Sequence, residues 1–317
     1  MPQLLNFEEY SSKMLSLPRP GAENILAFYE HRVGAVGRDP RLMLLPLDDH
    51  LTHRGDGVFE AVKYVDGRLY QLDKHLDRMK DSAGAIYLEP PCPWEEVRAL
   101  ILAVAAAGEE RTGAIRILIG RGPGSFGIDP FESPVPSLYI VAHRFEQKPE
   151  SWFEQGLKGF RTGIPAKQGY LARIKHTNYL PNMLMIREAR VLGKDVPLCF
   201  DAEGYLAESA TANICLVSSD GVIEVPEFTN SLAGTTVKRA LELVDGKVPH
   251  RMRRITEADI SRASEVLMLS TGPDCVAVVD YEGQRIGSSR QGPVCALLRR
   301  LIREDIKNTG TPVPGLV

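Results

Sequence analysis

The chain is expected to fold as two α/β domains (α+β in type) with mixed or antiparallel sheets. Three observations point there. Its 317 residues exceed one average domain. Hairpin signals recur along it, at Asp66-Gly67, around Ala202-Glu203-Gly204 and at Asp220-Gly221. Helical patterns alternate with these strands, and the hairpins argue against a doubly wound nucleotide fold. The polar, proline-bearing stretch 146–156 divides the chain, so the domains are expected at 1–150 and 151–317.

Residues 1–40 are mixed in composition and are expected to wrap or dock rather than form a core. "RLMLLPLDD" (41–49) reads as a short buried strand. "GVFEAVKYVDGRLYQL" (57–72) reads as a hairpin turning at Asp66-Gly67. A helix follows with Leu76, Met79 and Ala83 in register. A second, at 93–108, places Trp94, Val97, Ile101 and Val104 on one face and acidic residues in its first turn. Strands are expected at 114–122 and 137–145, joined by a glycine- and proline-rich loop. That loop has no G-x-G-x-x-G and no G-K-[ST], so it is a weak phosphate cradle and reads better as a substrate loop or turn.

In the second half, a helix from about Tyr179 to Leu192 stops at Gly193. Thr177 and Asn178 look like its N-cap. Short strand pairs follow, then a helix at 235–244 with Val237, Leu241 and Val244 aligned. Thr256 opens a capping-box-like "TEAD". "EVLMLST" (265–271) is a buried strand, 293–308 is an amphipathic helix, and the tail beyond is expected to be loose.

Composition narrows the function classes. A net charge of −3 without a basic block argues against nucleic acid as partner. Five scattered cysteines without a C-x-x-C pair fit a reduced, cytoplasmic setting and argue against zinc or any other metal site. The N-terminal stretch mixes charge and apolar residues too closely for a signal peptide. No apolar run reaches about 18 residues, so no membrane span is expected.

Four features could carry chemistry. Lys175, in "RIKHTNYLPNML", is open to two readings from the residues alone. It is either a solvated lysine or an inward-pointing one with the lowered pKa that a Schiff-base nucleophile requires. Glu208 follows the apolar run Tyr205-Leu206-Ala207, where a carboxylate is unexpected unless paired. It is either a strand-end surface residue or a buried group able to hold a proton on a pyridine nitrogen. Arg78 is either an exposed helix residue or a fork for phosphate. "SLAGTTVKRAL" opens a helix with Thr235 and Thr236, which is an ordinary cap or an anion site.

The order of these signals is more specific than each alone: Arg, Lys, Glu, Gly-Thr-Thr, then Ser-Thr-Gly. The chain resembles the class IV aminotransferases, the fold-type IV pyridoxal 5′-phosphate (PLP) family, from about Leu44 to Arg303. The resemblance lies in "GDGVFEAVKYVDGRLYQLDKHLDRM", "RIKHTNYLPNMLMIREA", "GYLAESATANICLV", "LAGTTVKRAL" and "EVLMLSTGPDCVAVV". That family includes branched-chain aminotransferases, D-amino-acid transaminases and aminodeoxychorismate lyases. This chain is most similar to the D-amino-acid branch that borders the lyases.

The resemblance implies a small N-terminal α/β domain bearing the phosphate-binding Arg78 and the substrate loops. It implies a larger C-terminal pseudo-barrel domain that binds PLP through Lys175. Glu208 is implied to pair with the pyridine nitrogen. Arg78 is implied to bind phosphate with Thr235, Thr236 and Thr271. Tyr179 and Asn213 match positions that line the cofactor or recur after the glutamate. A homodimer acting on small amino acids and 2-oxo acids is also implied. For the substrate carboxylate the candidates are Arg54, Arg116 and the Thr271-Gly272 backbone, with Phe59 where bacterial D-transaminases have tyrosine.

Departures concern the substrate. The branched-chain Tyr-x-Arg is here Ala114-Ile115-Arg116, and Tyr179 follows the lysine by four residues instead of five. The Arg-x-His of bacterial D-transaminases is replaced by Phe126 and Ile128. Phe59-Glu60 stands where several lyases have Thr-Thr, which favours a transaminase. The expected function is ping-pong amino transfer between an α-amino acid, a D-amino acid favoured, and a 2-oxo acid. A branched-chain L-amino acid aminotransferase and a 4-amino-4-deoxychorismate lyase are the alternatives, with a non-catalytic PLP-binding relative behind them.

Overall fold

A computed structural model describes residues 2–317. Its strands form two curled sheets, one of seven strands and one of nine. In spatial order the first runs Thr311–Pro312, Arg68–Leu69, Gly57–Val65, Gly113–Gly120, Ser137–His143, Ile25–Glu30 and Ala35–Gly37. All its pairings are antiparallel. The hairpin expected at 57–72 is present, with Asp66 and Gly67 at φ 51° and 75°. Gly67 also has no room for a Cβ, because the Leu316 carbonyl lies against it. Ile115, Ile117 and Ile119 point into a core closed by the helices Leu72–Ala85 and Trp94–Ala107. Val97, Ile101 and Val104 are fully buried there, as their spacing predicts. Each contributes about 1.5–3 kcal/mol by leaving water.

Three expectations fail in this half. Residues 1–40 do contribute core: Ile25–Glu30 is an inner strand, with Ala27 at 0% exposure. Five of its six residues are buried on both faces, so it lacks the alternation by which a half-exposed strand is recognised. Residues 41–49 are not a buried strand. A single 3₁₀ turn, Pro40–Leu42, leads into an extended loop in which Leu44, Leu45 and Leu47 are exposed. Pro40 and Pro46 have no N–H to give a ladder. The tail is not loose either. Thr311–Pro312 pairs with Leu69–Arg68, and Val313 is fully buried in the first core. Val313→Asp is therefore expected to lower unfolding free energy by about 2–4 kcal/mol, read as a shifted denaturant midpoint.

The nine-stranded sheet runs His250–Arg253, Ile223–Pro226, Asn213–Val217, Glu265–Ser270, Asp274–Tyr281, Leu157–Arg161, Val196–Phe200 and Leu206–Ser209, with Gln284–Arg285 on Asp274–Tyr281. It is mixed: Leu157–Arg161 is parallel to both neighbours, and Ile223–Pro226 is parallel to His250–Arg253. The sheet curls so that its last strand returns to Asn213–Val217, where Ser209 N–H donates to the Ala212 carbonyl. The helices Thr235–Val244 and Pro293–Thr309 cover one face, through Val237, Leu298 and Ile302. The capping box at Thr256 and Asp259 is formed. The stretch 146–156 is only half a linker: Glu150–Gln155 is a helix whose Phe153 lies under Arg299. All five cysteines are free thiols. Among the described residues no helix is long and apolar enough to cross a membrane, and no group of three or more His, Cys, Asp or Glu is arranged to hold a metal.

Candidate active site

Lys175 sits where the two sheets meet. Its carbonyl accepts from Phe59 N–H at 3.0 Å and its N–H donates to Ser82 Oγ at 3.1 Å. These backbone bonds fix it to the 57–65 strand and the 72–85 helix. The next residues do not cap the following helix as expected. Thr177 Oγ1 and Asn178 Nδ2 instead donate to the Gly55 carbonyl, and Tyr179 occupies the N-cap position of Leu180–Leu192. The short polar side chains find nearer acceptors in the loop before the 57–65 strand.

The Lys175 ammonium lies 4.6 Å from the centre of the Phe59 ring, with Nζ 3.4 Å from Tyr179 Oη. Burial, together with the positive Arg78 and Arg116, lowers its pKa from 10.5 to about 8, against the pull of Glu60 and Glu208. An unprotonated amine is thus accessible near neutral pH. Acylation of Lys175 in the cofactor-free chain is expected to rise with a midpoint near pH 8, two to three units below the surface lysines, as read by peptide mass spectrometry.

Glu208 comes from the Leu206–Ser209 strand. Burial pushes its carboxyl up to about 7, offset by the Leu232 N–H and the charges of Lys167, Lys175 and Arg78. Its one hydrogen bond among the described residues comes from Leu232 N–H at 3.2 Å. It therefore retains the capacity to take a proton or a cationic donor from the cavity. Asn213 acts on the same loop: its Nδ2 donates to the Leu232 carbonyl at 2.8 Å. The Asn213 Oδ1 fills the space a Cβ would need at position 234, so only glycine fits there. Gly234 begins the Thr235–Val244 helix without a side-chain cap, leaving the first N–H groups open.

Arg78, on the 72–85 helix, forks onto the buried Glu60 through Nε at 2.7 Å and Nη2 at 2.9 Å. Nη1 remains for a further acceptor. Arg78, Lys175, Tyr179, Glu208, Asn213, Thr235, Thr236 and Thr271 all line one cavity. Lys167 lines it too, 4.6 Å from the Tyr179 ring centre; in the sequence it is a lysine in a polar loop, which carries no distinguishing signal.

The substrate candidates divide. Phe59 meets Tyr179 edge-on at 4.8 Å, and the Arg116 guanidinium lies 5.0 Å from the Phe59 ring centre. Arg54 is elsewhere: exposed, with Nε on the Gly127 carbonyl at 2.9 Å and Nη2 on the Phe126 carbonyl, it clamps a surface loop. Gly272 borders a separate cavity of about 430 Å³, where its carbonyl accepts from Lys63 Nζ at 3.4 Å. Chemically, the Lys175 cavity offers a neutralisable amine, a carboxylate open to a proton donor, and an anion-binding end.

Residues 57–281, more than half of the chain, match the family model of class IV amino-transferases. The chain belongs to the class IV aminotransferases. It is 31% identical to the chloroplastic D-amino-acid transaminase of Arabidopsis thaliana, over 100% of this chain and 85% of that protein. A branched-chain-amino-acid aminotransferase of Pseudomonas aeruginosa is 28% identical over 79% of this chain and 84% of that protein. A D-alanine aminotransferase of Listeria monocytogenes is 26% identical over 82% and 90%. In fold, a branched-chain amino acid aminotransferase of T.th. solved with pyridoxamine 5′-phosphate superposes with a TM-score of 0.84 at 24% identity, covering 89% of this chain and 94% of that one. The class IV aminotransferase fold expected from the sequence is thus present, and the cofactor of this family is pyridoxal 5′-phosphate.

Proposed function

We propose that this class IV aminotransferase moves an amino group from an α-amino acid, a D-amino acid by preference, to a 2-oxo acid, with Lys175 as the covalent lysine and proton carrier. The observation that supports this most is the shared cavity of Lys175, lowered in pKa, and Glu208, raised in pKa. The lowered value suits Lys175 to act as a base, and the raised one marks Glu208 as a buried carboxyl in want of a cationic partner. The residues fit the cofactor at each end. The Lys175 amine suits its aldehyde, Glu208 its pyridine nitrogen, and Arg78 Nη1 with the open N–H groups of Thr235 and Thr236 its phosphate.

When bound, the cofactor supplies a carbonyl that condenses with amines and a ring that accepts the electrons left by proton loss. Lys175 Nζ would take the proton from the substrate α-carbon and hold it for return. Tyr179 Oη holds that nitrogen in place. Glu208 keeps a proton on the pyridine nitrogen. Thr271 closes the phosphate end. The double-reciprocal kinetics are ping-pong.

Arg116 is the better partner for the substrate carboxylate. Burial lowers its pKa, and among the described residues no hydrogen-bond acceptor meets its guanidinium. Arg116→Gln is expected to raise KM for the amino acid by about 10- to 100-fold with little change in kcat, while Arg54→Ala acts only weakly through its loop.

The D-preference draws on the whole-chain similarity to a D-amino-acid transaminase and on Tyr179, four residues after the lysine. A branched-chain L-donor is the second reading, favoured by the apolar Phe59–Tyr179 wall beside Lys175. A panel of D- and L-amino acids with 2-oxoglutarate and pyruvate tests both. Turnover of D-alanine-type donors supports the first; turnover of L-leucine-type donors alone supports the second. Pyruvate released from aminodeoxychorismate without any acceptor removes both. We also propose a homodimer, in a reduced, cytoplasmic setting. Leu44, Leu45, Leu47 and Phe126 are exposed, the loop bearing Phe126 is joined to the end of the 41–49 segment by Gly124 N–H on the Asp48 carbonyl, and a second copy would cover these side chains.

A further inference from the structure

Behind Arg78 and Thr235, two buried residues complete a line of hydrogen bonds. Glu60 and His75 are 0% and 2% exposed. Glu60 takes the Arg78 fork, and its Oε2 lies 2.7 Å from His75 Nδ1. His75 Nε2 in turn lies 3.2 Å from Thr235 Oγ1, at the cavity wall.

The donors and acceptors along this line are constrained. Burial pushes the Glu60 carboxyl up, but the charges and hydrogen bonds of His75 and Arg78 outweigh it and hold the group well below the usual carboxylate range. Glu60 is ionised, and an ionised carboxylate only accepts. His75 Nδ1 must therefore carry a hydrogen. With a neutral ring, Nε2 is bare and accepts the Thr235 hydroxyl hydrogen. Thr235 then shows only lone pairs to the cavity. A phosphate dianion also only accepts, so the two do not match. Turning the Thr235 hydrogen to the phosphate would leave His75 Nε2 facing an oxygen lone pair in a buried place. A second proton on His75 resolves the conflict.

We propose that His75 takes up a proton from solvent when a phosphate group enters the Lys175 cavity, reversing the hydrogen bond so that His75 donates to Thr235 and Thr235 donates to the phosphate. His75 and Glu60 are then positioning residues for the phosphate end. The proposal rests on the reading of Thr235 and Arg78 as that end. The groups facing His75 are Glu60 on the 57–65 strand, Arg78 on its own helix, Lys175 ahead of the 180–192 helix, and Thr235 on the 235–244 helix. Without an anion, burial outweighs the charge and hydrogen bond of Glu60 and, with smaller contributions from Arg78 and Lys175, holds the imidazole below its ordinary pKa. A dianion next to Thr235 adds the negative charge that reverses this balance.

The test titrates pyridoxal 5′-phosphate and pyridoxal into the cofactor-free full chain by calorimetry at about pH 8, in buffers of different ionisation enthalpy. Above about pH 6 the free ester is dianionic, and subtracting pyridoxal removes the protons exchanged at Lys175 and Glu208. The phosphate form is expected to take up about one more proton, and its affinity advantage over pyridoxal to fall about tenfold per pH unit. Both effects are expected to vanish in His75→Gln, whose amide donates without a solvent proton. They are also expected to vanish in Thr235→Val, nearly isosteric and without the hydroxyl. Phosphorus NMR is expected to show a dianion throughout. Tighter binding of the ester with no extra proton, equal uptake in the variants, or a monoanionic phosphorus shift overturns the His75 proposal alone. An ester that binds no more tightly than pyridoxal overturns the phosphate-end reading and this proposal with it.

Discussion

Lys175→Ala is expected to abolish turnover while leaving the fold intact. The loss in kcat should reach at least about 10²- to 10⁴-fold, the range for proton transfer by a positioned side chain, before the lost covalent attachment is added. Fold retention follows from the anchoring: the Phe59 and Ser82 hydrogen bonds use the Lys175 backbone, which alanine keeps. Lys167 shares the cavity but lies over the outer Tyr179 ring, and is not expected to substitute. Single-turnover conversion of amino acid to 2-oxo acid measures the effect. Full activity in the alanine variant would remove Lys175 from the mechanism.

Glu208→Gln is expected to move activity and stability in opposite directions. A glutamine cannot balance a pyridinium charge, so kcat should fall by about 10²- to 10³-fold, typical for removal of one preorganised electrostatic partner. The cofactor-free chain should become more stable. The Glu208 carboxyl is raised from 4.5 to about 7 in the folded state. A raised carboxyl pKa means that stability is full below the unfolded pKa, near 4.5, and is lost as pH rises through about 7. At pH above 7 the empty site therefore bears a carboxylate that burial disfavours, a cost of up to about 3 kcal/mol, reduced by whatever water enters the cavity. Denaturation of the cofactor-free chain at about pH 8 should show the glutamine variant more stable, with the difference shrinking below about pH 5. Equal stability at both pH values would mean that Glu208 is well solvated or already paired.

Much of the candidate site was legible because its residues lie in short linear motifs. Lys175, Glu208, Arg78 and the Thr235-Thr236 turn lie far apart in sequence, yet each sits in a stretch characteristic of the family, and all line one cavity. What the sequence hid was set by distant neighbours. The 25–30 strand is buried because Ser137–His143 pairs with it from more than a hundred residues away. The apolar 41–49 segment is exposed because no sheet edge receives it. The Arg54 and Arg116 side chains are chemically alike, and only the fold clamps one to a loop carbonyl and leaves the other beside Phe59. Glu60 and His75 gave no sign of their shared role, since one lies on a strand, the other on a helix, and the line they form reaches Thr235, 160 residues beyond His75.

Lys175 is proposed to bind the cofactor covalently and to carry the proton. Borohydride reduction of the holoenzyme followed by peptide mapping tests it most directly. The pyridoxyl mass is expected on the peptide containing Lys175, and is expected to disappear when an amino acid donor without acceptor is added before reduction. A tag on Lys167 or Lys63, or one that persists undiminished in the presence of the donor, would contradict it.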